Sequence, residues 1–516
     1  MDELFAMLSD GANMIQEVPD WLMRRALTDG SKEALRFTGS SVTYEALSHA
    51  AAVFAAACSI NGITVGQRVA VLIRGGRDYA LAVHGLMRTG VVMVPLNWRL
   101  TANELVWQVD DVKADWLLYD APAEEEAVLI SRKTGVSVLC IHDLLKDDSE
   151  PAHVSETLID LQRPLAVIYT SGTTGRPKGT LLTYGNFWWS AMASALQFGL
   201  HKDDQWLVPM PLFHVGGLSV LLRSLIYGTT AVIHDRFDAK QVNRTIDEEG
   251  ITLLSVVPTM LSRMLEERGE RAYPSRLRLV LLGGSSASKS LLEQSIHLGV
   301  PVAQSYGLTE ACSQVATLLP EDGLRKLGSS GRPLFQTQIR IIRAASDEDI
   351  AADVHSPLPV GEMGQIAVQG PTVTPGYLNR PEVNAKRFVA GWFLTGDIGY
   401  LDGEGYLYVV DRRSDLIVSG GENIYPAEVE QVLMMHPNVL EAGVVGAEDP
   451  VWGQVPVAVV RTKEGARVPA SDLTEHCRRH LAGYKVPRTF HQVLDPLPRN
   501  ASGKLLRKDL RIQVAK

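Results

Sequence analysis

Short runs of β-branched and aliphatic residues, flanked by Gly, Pro or Asp, recur through the first two thirds of the chain. They include Leu165–Thr170, Thr230–Asp235, Thr252–Pro258 and Leu277–Gly284. Runs of this length and composition are typical of strands buried on both faces. Longer helix-like segments such as Tyr44–Cys58 lie between runs of this kind. The alternation predicts an α/β fold of doubly wound sheets.

The pattern changes after Gly328. Short strand-like runs with frequent Gly and Pro follow, which favours an antiparallel sheet or small barrel over about 328–411. The last hundred or so residues, from Asp411, contain helix-like segments at 428–436 and 470–481 and a strand-like segment at 453–462. That is enough for a small separate α+β domain.

Charge and composition exclude several classes of protein. The 516 residues include 50 Lys plus Arg and 59 Asp plus Glu, a net charge of −9 that argues against nucleic acid as a partner. Hydrophobic residues at 46% and charged residues at 21% are ordinary for a globular protein. The N-terminal stretch is acidic where a signal peptide is basic, and the apolar stretches are interrupted by charges or Gly. We therefore expect a cytoplasmic protein without stable membrane insertion.

The four cysteines are far apart in the sequence. Cys58, Cys140, Cys312 and Cys477 form no CxxC pair. This spacing suits reduced thiols in a reducing compartment, and we expect them to serve in packing.

A glycine-rich segment, Tyr169–Gly179 (YTSGTTGRPKG), directly follows one of the predicted strands. Its glycines let backbone N–H groups turn towards one point, its hydroxyls add donors and its lysine adds a positive charge, which together suit a triphosphate. It is not a Walker A loop, because Arg-Pro follows the second glycine. Taken alone, the segment also fits a mobile surface turn. The residues are Gly172, Gly175 and Gly179, then Ser171, Thr173 and Thr174, and Lys178.

This segment resembles the phosphate-binding loop of the adenylate-forming superfamily, which includes acyl-CoA synthetases, luciferases and peptide-synthetase adenylation domains. Further motifs of that superfamily follow in order, and together they are far more specific than any one alone. They are Pro211–Leu218, Ser305–Glu310, Gly391–Asp397, Asp411–Glu430 and Leu497–Arg507.

The resemblance implies a domain division and ligands. An N-terminal adenylation domain would span 1–411, a hinge 412–414 with Ser414, and a mobile C-terminal domain 415–516. The ligands are a carboxylic acid, ATP, Mg²⁺ and CoA as co-substrate. The implied ATP-binding residues are Thr170, Ser171, Gly172, Thr173, Thr174, Gly175, Lys178, Gly284, Tyr306, Gly307, Thr309, Asp397, Arg412 and Lys504.

The side-chain chemistry of three acidic or aromatic residues suggests roles without reference to the resemblance. The face of Tyr306 can stack on adenine, and Glu310 is a hard ligand that suits Mg²⁺ beside phosphate oxygens. Asp397, expected in a turn after a strand, can accept from both ribose hydroxyls, with Arg412 donating nearby. The alternatives are a helix cap for Glu310 and a surface ion pair for Asp397 or Arg412.

The resemblance also assigns the catalytic steps. Lys504 would stabilise the charge that develops on the α-phosphate when the carboxylate attacks ATP. The same lysine would block the thiol, so the small domain must rotate about the hinge before the second step. Gly420 and Gly421 would then face the pantetheine of CoA. His214 would lie between the acyl pocket and the thiol entrance, although a lone histidine is more often a packed core residue.

The acid is indicated by a closer likeness. Segments at 19–26, 209–219, 224–234, 304–318, 411–430, 446–456 and 497–507 resemble the o-succinylbenzoate-CoA ligase family of menaquinone biosynthesis. That acid carries a second, aromatic carboxylate, which needs donors when buried. Candidates by position are His214, Ser219, Arg223 and Ser305, although an arginine on a helix usually extends to water.

Other readings stay open. A ligase for another aromatic or medium-chain acid, a peptide-synthetase module or a luciferase would share these motifs. A non-catalytic adenylate sensor is disfavoured because Glu310 and Lys504 are both present. A homodimer is an expectation from analogy alone.

Overall fold

The computed structural model describes residues 17–145, 158–170, 177–284, 287–343, 354–412, 415, 417–419, 422–424, 426–449, 452–463, 466, 468–481, 483–499 and 505–514.

The first large sheet is parallel at its centre, as the apolar runs predict. The parallel strands are continuous in apolar sequence because helices cover both faces. Two antiparallel strands, Gly376–Tyr377 and Lys178–Thr183, complete one edge. The parallel strands follow in the order Pro164–Thr170, Val92–Pro95, Arg68–Leu72, Trp116–Tyr119 and Ser137–Cys140.

The second large sheet has the same construction. Its parallel strands, in spatial order, are Val302–Leu308, Leu279–Leu282, Leu253–Val256, Gln205–Val208, Thr230–Ile233 and Glu33–Phe37. Antiparallel strands extend both edges, Ser313–Leu318 and Arg332–Pro333 on one side and Ser40–Thr43 on the other. A separate pair joins Glu17–Pro19 to Leu158–Asp160.

Helices with apolar faces cover these sheets. Local sequence determines several boundaries: Thr101 and Thr183 each begin a helix with a reciprocal capping box. Close packing requires glycine at one contact, because a Cβ on Gly85 would lie 2.2 Å from Cδ1 of Phe54. The helices are Trp21–Asp29, Tyr44–Ile60, Gly76–Thr89, Ala102–Val112, Glu124–Thr134, Ile141–Leu145, Tyr184–Phe198, Val215–Tyr227, Ala239–Glu248, Pro258–Arg268 and Lys289–His297.

The region after the second sheet is antiparallel, as its Gly-rich and Pro-rich texture predicts. Its sheet contains Gln338–Ile342, Gly364–Gln369, Trp392–Leu401, Phe388–Val389 and Leu407–Arg412, and the helix Pro381–Arg387 precedes Phe388.

The C-terminal region forms an α+β unit with its own core. Val429, Leu433, Val444 and Leu473 are buried together in that core. The strands are Glu422–Ile424, Ile417–Ser419, Gly453–Thr462, Val439–Asp449 and Thr489–Val493, and the helices are Pro426–Met434, Ala470–Arg478 and Arg507–Val514.

Within the described residues, every helix is too short or too polar to cross a lipid bilayer.

Candidate active site

Two neighbouring parallel strands deliver the predicted adenine-side residues to one sheet edge. Leu282 pairs with Gln304, so the segments after these residues lie side by side. The hydroxyl of Ser305 donates to the carbonyl of Leu282 over 3.4 Å. Gly284 has a φ of +90°, a left-handed conformation that favours glycine. The edge therefore presents Gly284, Ser305 and Tyr306 together, where open α/β sheets bind ligands.

Tyr306 and Asp397 are joined although they lie far apart in sequence. The phenol of Tyr306 donates to Oδ2 of Asp397 over 2.6 Å, and the two residues are only 9% and 6% exposed. The expected turn at Asp397 is wrong: Asp397 lies inside the strand Trp392–Leu401 and pairs with Arg412 across the antiparallel ladder. A buried carboxylate beside a tyrosine is not a surface ion pair. The antiparallel sheet that contains Trp392–Leu401 thus supplies an acceptor to the edge of the second sheet.

Gly307 allows the chain to bend between Tyr306 and Glu310. The strand has an irregularity between Tyr306 and Gly307, and a Cβ on Gly307 would lie 2.1 Å from the carbonyl oxygen of Ser313. The short helical turn Thr309–Ala311 follows, and then Cys312 and Ser313 have positive φ angles of 49° and 99°. Non-glycine residues in such conformations cost about 1–3 kcal/mol each. Strain is therefore stored directly after Thr309 and Glu310.

Glu310, Tyr377 and Lys178 form one cluster. The phenol of Tyr377 donates to Oε1 of Glu310 over 2.7 Å, and Nζ of Lys178 lies 5.2 Å from the centre of the Tyr377 ring. Burial lowers the pKa of Lys178, the nearby Arg387 lowers it further, and Glu310 opposes both effects. The cluster therefore places a fixed carboxylate and a cation within one small volume.

Sequence reasoning missed Tyr377. Its strand, Gly376–Tyr377, pairs with Lys178–Thr183, with Tyr377 opposite Thr180. Asn384 fixes it further, accepting from the Tyr377 N–H over 2.8 Å and donating to its carbonyl over 2.9 Å. This pairing joins segments distant in sequence, so the motif pattern contained no sign of it.

The candidate phosphate loop connects two antiparallel strands. Thr170 pairs with Lys178, so the loop closes a hairpin and does not open a helix. Gly179 was expected to contribute to the cradle, and this is wrong. It lies in the strand Lys178–Thr183, where a Cβ would come 2.7 Å from Cγ1 of Val167, so its role is packing.

Other predicted residues lie outside the described part of the chain. These are Ser171, Gly172, Thr173, Thr174, Gly175, Ser414, Gly420, Gly421 and Lys504.

His214 precedes the helix Val215–Tyr227 at its N-cap position. Its ring lies 4.4 Å from that of Phe213, and Nε2 is buried without a hydrogen-bond partner among the described residues. Burial lowers the pKa of His214 to about 4, and the charge of Arg99 adds to this effect. The imidazole is therefore neutral near pH 7, where it can orient a ligand but carries no charge.

Arg223 does not reach water. It is 1% exposed, Nη2 donates to Oγ of Ser190 over 2.9 Å, and Oγ of Ser190 donates to the carbonyl of Cys312 over 2.7 Å. Within the described residues Nε and Nη1 of Arg223 are buried without hydrogen-bond partners, and its Cζ lies 5.9 Å from the centre of the Trp206 ring. Burial lowers the pKa of Arg223. Ser219, one turn earlier, donates to the carbonyl of Gly216 over 3.2 Å and so is tied to its own helix.

An open cleft lies beside Phe213. Its lining is largely apolar, with Trp98 among the apolar residues, and it also includes Arg99, Arg236 and the acidic Asp235. Arg74 lines it too but is paired with Glu126 at 2.8 Å. Arg99 is close enough to affect His214 electrostatically. The cleft is therefore suited to an elongated anionic ligand with apolar parts.

The candidate metal position rests on Glu310. The described residues contain no group of three or more His, Cys, Asp or Glu side chains that could hold an ion. A single fixed carboxylate beside a phosphate loop nevertheless fits Mg²⁺, which takes one or two carboxylates and completes its shell with phosphate and water oxygens. Tyr377 holds that carboxylate in place.

Matches to two family models identify the class of protein. Residues 22–378 match the AMP-binding enzyme family, and residues 428–504 match the AMP-binding enzyme C-terminal domain. The chain therefore belongs to the AMP-binding enzyme family, and the superfamily resemblance read from its motifs is confirmed.

Individual relatives are more specific. The chain is 44% identical over 498 residues to 2-succinylbenzoate-CoA ligase of Bacillus cereus, covering 96% of this chain and 99% of the relative. It also resembles the Bacillus subtilis o-succinylbenzoate CoA synthetase (MenE) in complex with the acyl-adenylate intermediate OSB-AMP, at 42% identity, a TM-score of 0.88, and coverage of 96% and 99%. The same B. subtilis protein with ATP and magnesium ion matches with a TM-score of 0.88 at 42% identity, covering 96% and 100%. The predicted fold class is confirmed.

Proposed function

We propose that this chain is an AMP-forming acid-thiol ligase that acts on 2-succinylbenzoate. It converts this acid, ATP and CoA to 2-succinylbenzoyl-CoA, AMP and pyrophosphate through an acyl adenylate, a step of menaquinone biosynthesis. The observation that carries the proposal is the 44% identity to a 2-succinylbenzoate-CoA ligase over 96% of this chain. The cluster around Glu310 and the Tyr306–Asp397 pair support the ATP and Mg²⁺ binding that this reaction requires.

In the first step ATP lies across the edge of the second sheet. Tyr306 stacks on adenine beside Gly284 and Gly307, and its phenol holds Asp397, which accepts from ribose. Arg412, opposite Asp397 in the ladder, donates to ribose or phosphate. Thr170 and the loop at 171–175 bind the triphosphate with Lys178 and Thr309.

Glu310 is the proposed protein ligand for Mg²⁺. Bound there, the ion neutralises charge on the phosphate oxygens. Tyr377 keeps the carboxylate turned to one position, since its phenol donates over 2.7 Å. Lys178 lies against the other side of the same cluster and supplies positive charge to the triphosphate.

Lys504 is the proposed catalytic cation of the first step. The carboxylate of the acid attacks the α-phosphorus, and pyrophosphate leaves. Lys504 stabilises the negative charge that develops on the phosphoryl oxygens. Rotation of 415–516 about the hinge at 412–414, with Ser414, then withdraws this lysine. The thiol of CoA attacks the acyl carbon, and AMP leaves.

Arg223 is the proposed anchor of the aromatic carboxylate. Two nitrogens of this buried guanidinium lack hydrogen-bond partners in the described structure. A planar anion that accepts from both nitrogens would stabilise the guanidinium most. His214, Ser219 and Ser305 complete the proposed acid pocket. The neutral ring of His214 separates this pocket from the thiol entrance.

The cleft beside Phe213 is the proposed entrance for CoA. Arg99 and Arg236 in its lining suit the phosphates of the CoA nucleotide, and the guanidinium of Arg99 lies over the Trp98 ring at 4.9 Å. Gly420 and Gly421 would border the pantetheine after rotation. Arg99→Ala should raise the KM for CoA and leave the KM for ATP unchanged.

The enzyme acts in the cytoplasm, where its co-substrates ATP and CoA are found. A homodimer stays a prediction, which light scattering on the purified protein tests.

Coupled detection of AMP and pyrophosphate tests the function. Strong preference for 2-succinylbenzoate, dependent on CoA for turnover, is expected. Preference for another aromatic or medium-chain acid would retain the adenylation chemistry and overturn the substrate. Tight ATP binding without pyrophosphate release for any acid would indicate an adenylate sensor.

A further inference from the structure

One of the four cysteines differs from the others. Cys58, Cys312 and Cys477 are all 0% exposed, whereas Cys140 is partly exposed. Burial raises the pKa of Cys58 to about 12 and that of Cys477 to about 11, and raises the pKa of Cys312 still further. These three are packing thiols in the folded protein, as the sequence predicts, whereas Cys140 lacks their complete burial.

Cys140 lies beside an oriented histidine. Its Sγ is 3.9 Å from Nδ1 of His142, and Nε2 of His142 is 3.1 Å from Oδ2 of Asp78. An ionised carboxylate only accepts, so Nε2 carries the proton and donates to Asp78. Nδ1 is then the unprotonated nitrogen, and it faces the thiol. This is the order of nucleophile, base and orienting acid found in activated thiols.

Three separate elements build this cluster. Cys140 ends the edge strand Ser137–Cys140, His142 lies in the following helix Ile141–Leu145, and Asp78 is in the first turn of Gly76–Thr89. The side chains of His142 and Asp78 are 39% and 27% exposed, so a small molecule can approach. None of the three residues has a role in the ligase reaction proposed above.

We propose that Cys140, activated by His142 and positioned by Asp78, is a modification site for small disulfides. The thiol gives its proton to Nδ1 of His142 as Sγ attacks one sulfur of the disulfide. A new S–S bond forms to Cys140, the old S–S bond breaks, and the departing sulfur takes the proton from His142. One thiol and one disulfide are consumed and one of each is produced.

The surroundings favour uncharged reagents. Tyr119 pairs with Cys140 across the sheet, and its pKa is raised chiefly by burial and further by Cys140, Glu124 and Asp143. These carboxylates, with Asp78, disfavour anionic disulfides near the thiol. The probe is therefore 4,4′-dithiodipyridine, which is uncharged and releases a coloured thiopyridone.

The experiment follows thiopyridone release from the native full chain. One thiol should react quickly, Cys140→Ser should remove that phase, and His142→Gln should slow it by about tenfold or more. His297→Gln is the matched control, because His297 also contacts a carboxylate, that of Glu270, at 3.4 Å. Its rate should equal that of the unaltered protein.

Asp78 has its own test as a positioning residue. Asp78→Asn should slow the fast phase in the unaltered chain but cause no further slowing in the His142→Gln background, since it acts only through that ring. In denaturant all variants that retain Cys140 should react alike. Absence of a fast thiol in the native protein, a His142→Gln rate equal to wild type, or additive slowing in the double variant would each overturn the proposal.

Discussion

The phenol of Tyr377 donates to Oε1 of Glu310 over 2.7 Å, and the same tyrosine ring faces Nζ of Lys178 at 5.2 Å. One residue thus contacts both the candidate metal ligand and the cation beside the candidate phosphate loop. Its backbone is fixed in turn by Asn384. Metal and triphosphate positions are therefore coupled through a side chain that itself binds neither.

Tyr377→Phe tests this coupling because it retains the ring and removes only the hydroxyl. A hydrogen bond to a charged group contributes about 1.5–3 kcal/mol, so we expect the Mg²⁺ concentration required for half-maximal rate to rise about tenfold or more. Titration of the adenylation rate with Mg²⁺ at fixed ATP measures this. Tyr400→Phe is the control, since Tyr400 stacks on Tyr408 instead. An unchanged Mg²⁺ dependence in Tyr377→Phe would exclude the positioning role.

Variants of the Tyr306–Asp397 pair distinguish a role in stability from a role in ATP binding. Asp397→Asn keeps an oxygen that accepts from Tyr306 but loses the charge, so the KM for ATP should rise about tenfold or more while the unfolding free energy changes little. Tyr306→Phe leaves a buried carboxylate without this donor and should lower the unfolding free energy by about 1–3 kcal/mol. Steady-state kinetics and urea unfolding measure the two effects. If Asp397→Asn left the KM for ATP unchanged, the ribose role would be wrong.

Arg223 is tested best with a substrate that lacks the aromatic carboxylate. Arg223→Met keeps much of the side-chain volume, and it should raise the KM for 2-succinylbenzoate about a hundredfold while changing that for ATP little. With 4-oxo-4-phenylbutanoate, which has the succinyl carboxylate alone, wild type and variant should perform alike. The competing explanation is purely structural, because Arg223 also holds Ser190 and, through it, Cys312. In that case the variant would lose activity equally with both acids.

Stability should depend on pH through a buried histidine outside the active site. His84 is 2% exposed, and burial lowers its pKa from 6.5 to about 4. The unfolded chain therefore binds a proton that the folded chain does not between these values, so stability is complete above about pH 6.5 and falls as pH drops towards 4. The expected slope from His84 is about 1.4 kcal/mol per pH unit. His84→Gln should remove that part of the slope in urea unfolding from pH 7 to 5, whereas His297→Gln should not. Parallel curves for wild type and His84→Gln would contradict it.

Much of the fold follows from local sequence, because buried parallel strands must be short and apolar. The runs at Leu165–Thr170 and Leu277–Gly284 were placed correctly, with strands observed at Pro164–Thr170 and Leu279–Leu282. Tyr306 and Glu310 were found from a motif at one strand end. These predictions depend only on residues that are neighbours in the chain.

The remainder depends on contacts between distant segments. Asp397 is expected in a turn after a strand, but pairing with the strand that ends at Arg412 keeps it extended. Arg223 is a pocket candidate by position although arginines on helices usually extend to water, and only the packing around its helix buries it. Tyr377 acquires its role from a strand pairing that no periodicity indicates.

The CoA-dependent formation of AMP and pyrophosphate from ATP and Mg²⁺ tests the proposed ligase function most directly. The assay compares 2-succinylbenzoate with benzoate, coumarate and octanoate, and uses Lys504→Ala as the control for adenylation. We expect kcat/KM for 2-succinylbenzoate to exceed the others by at least about a hundredfold, with Lys504→Ala losing pyrophosphate release. An equal or higher kcat/KM for another of these acids would contradict the assignment of 2-succinylbenzoate as the substrate.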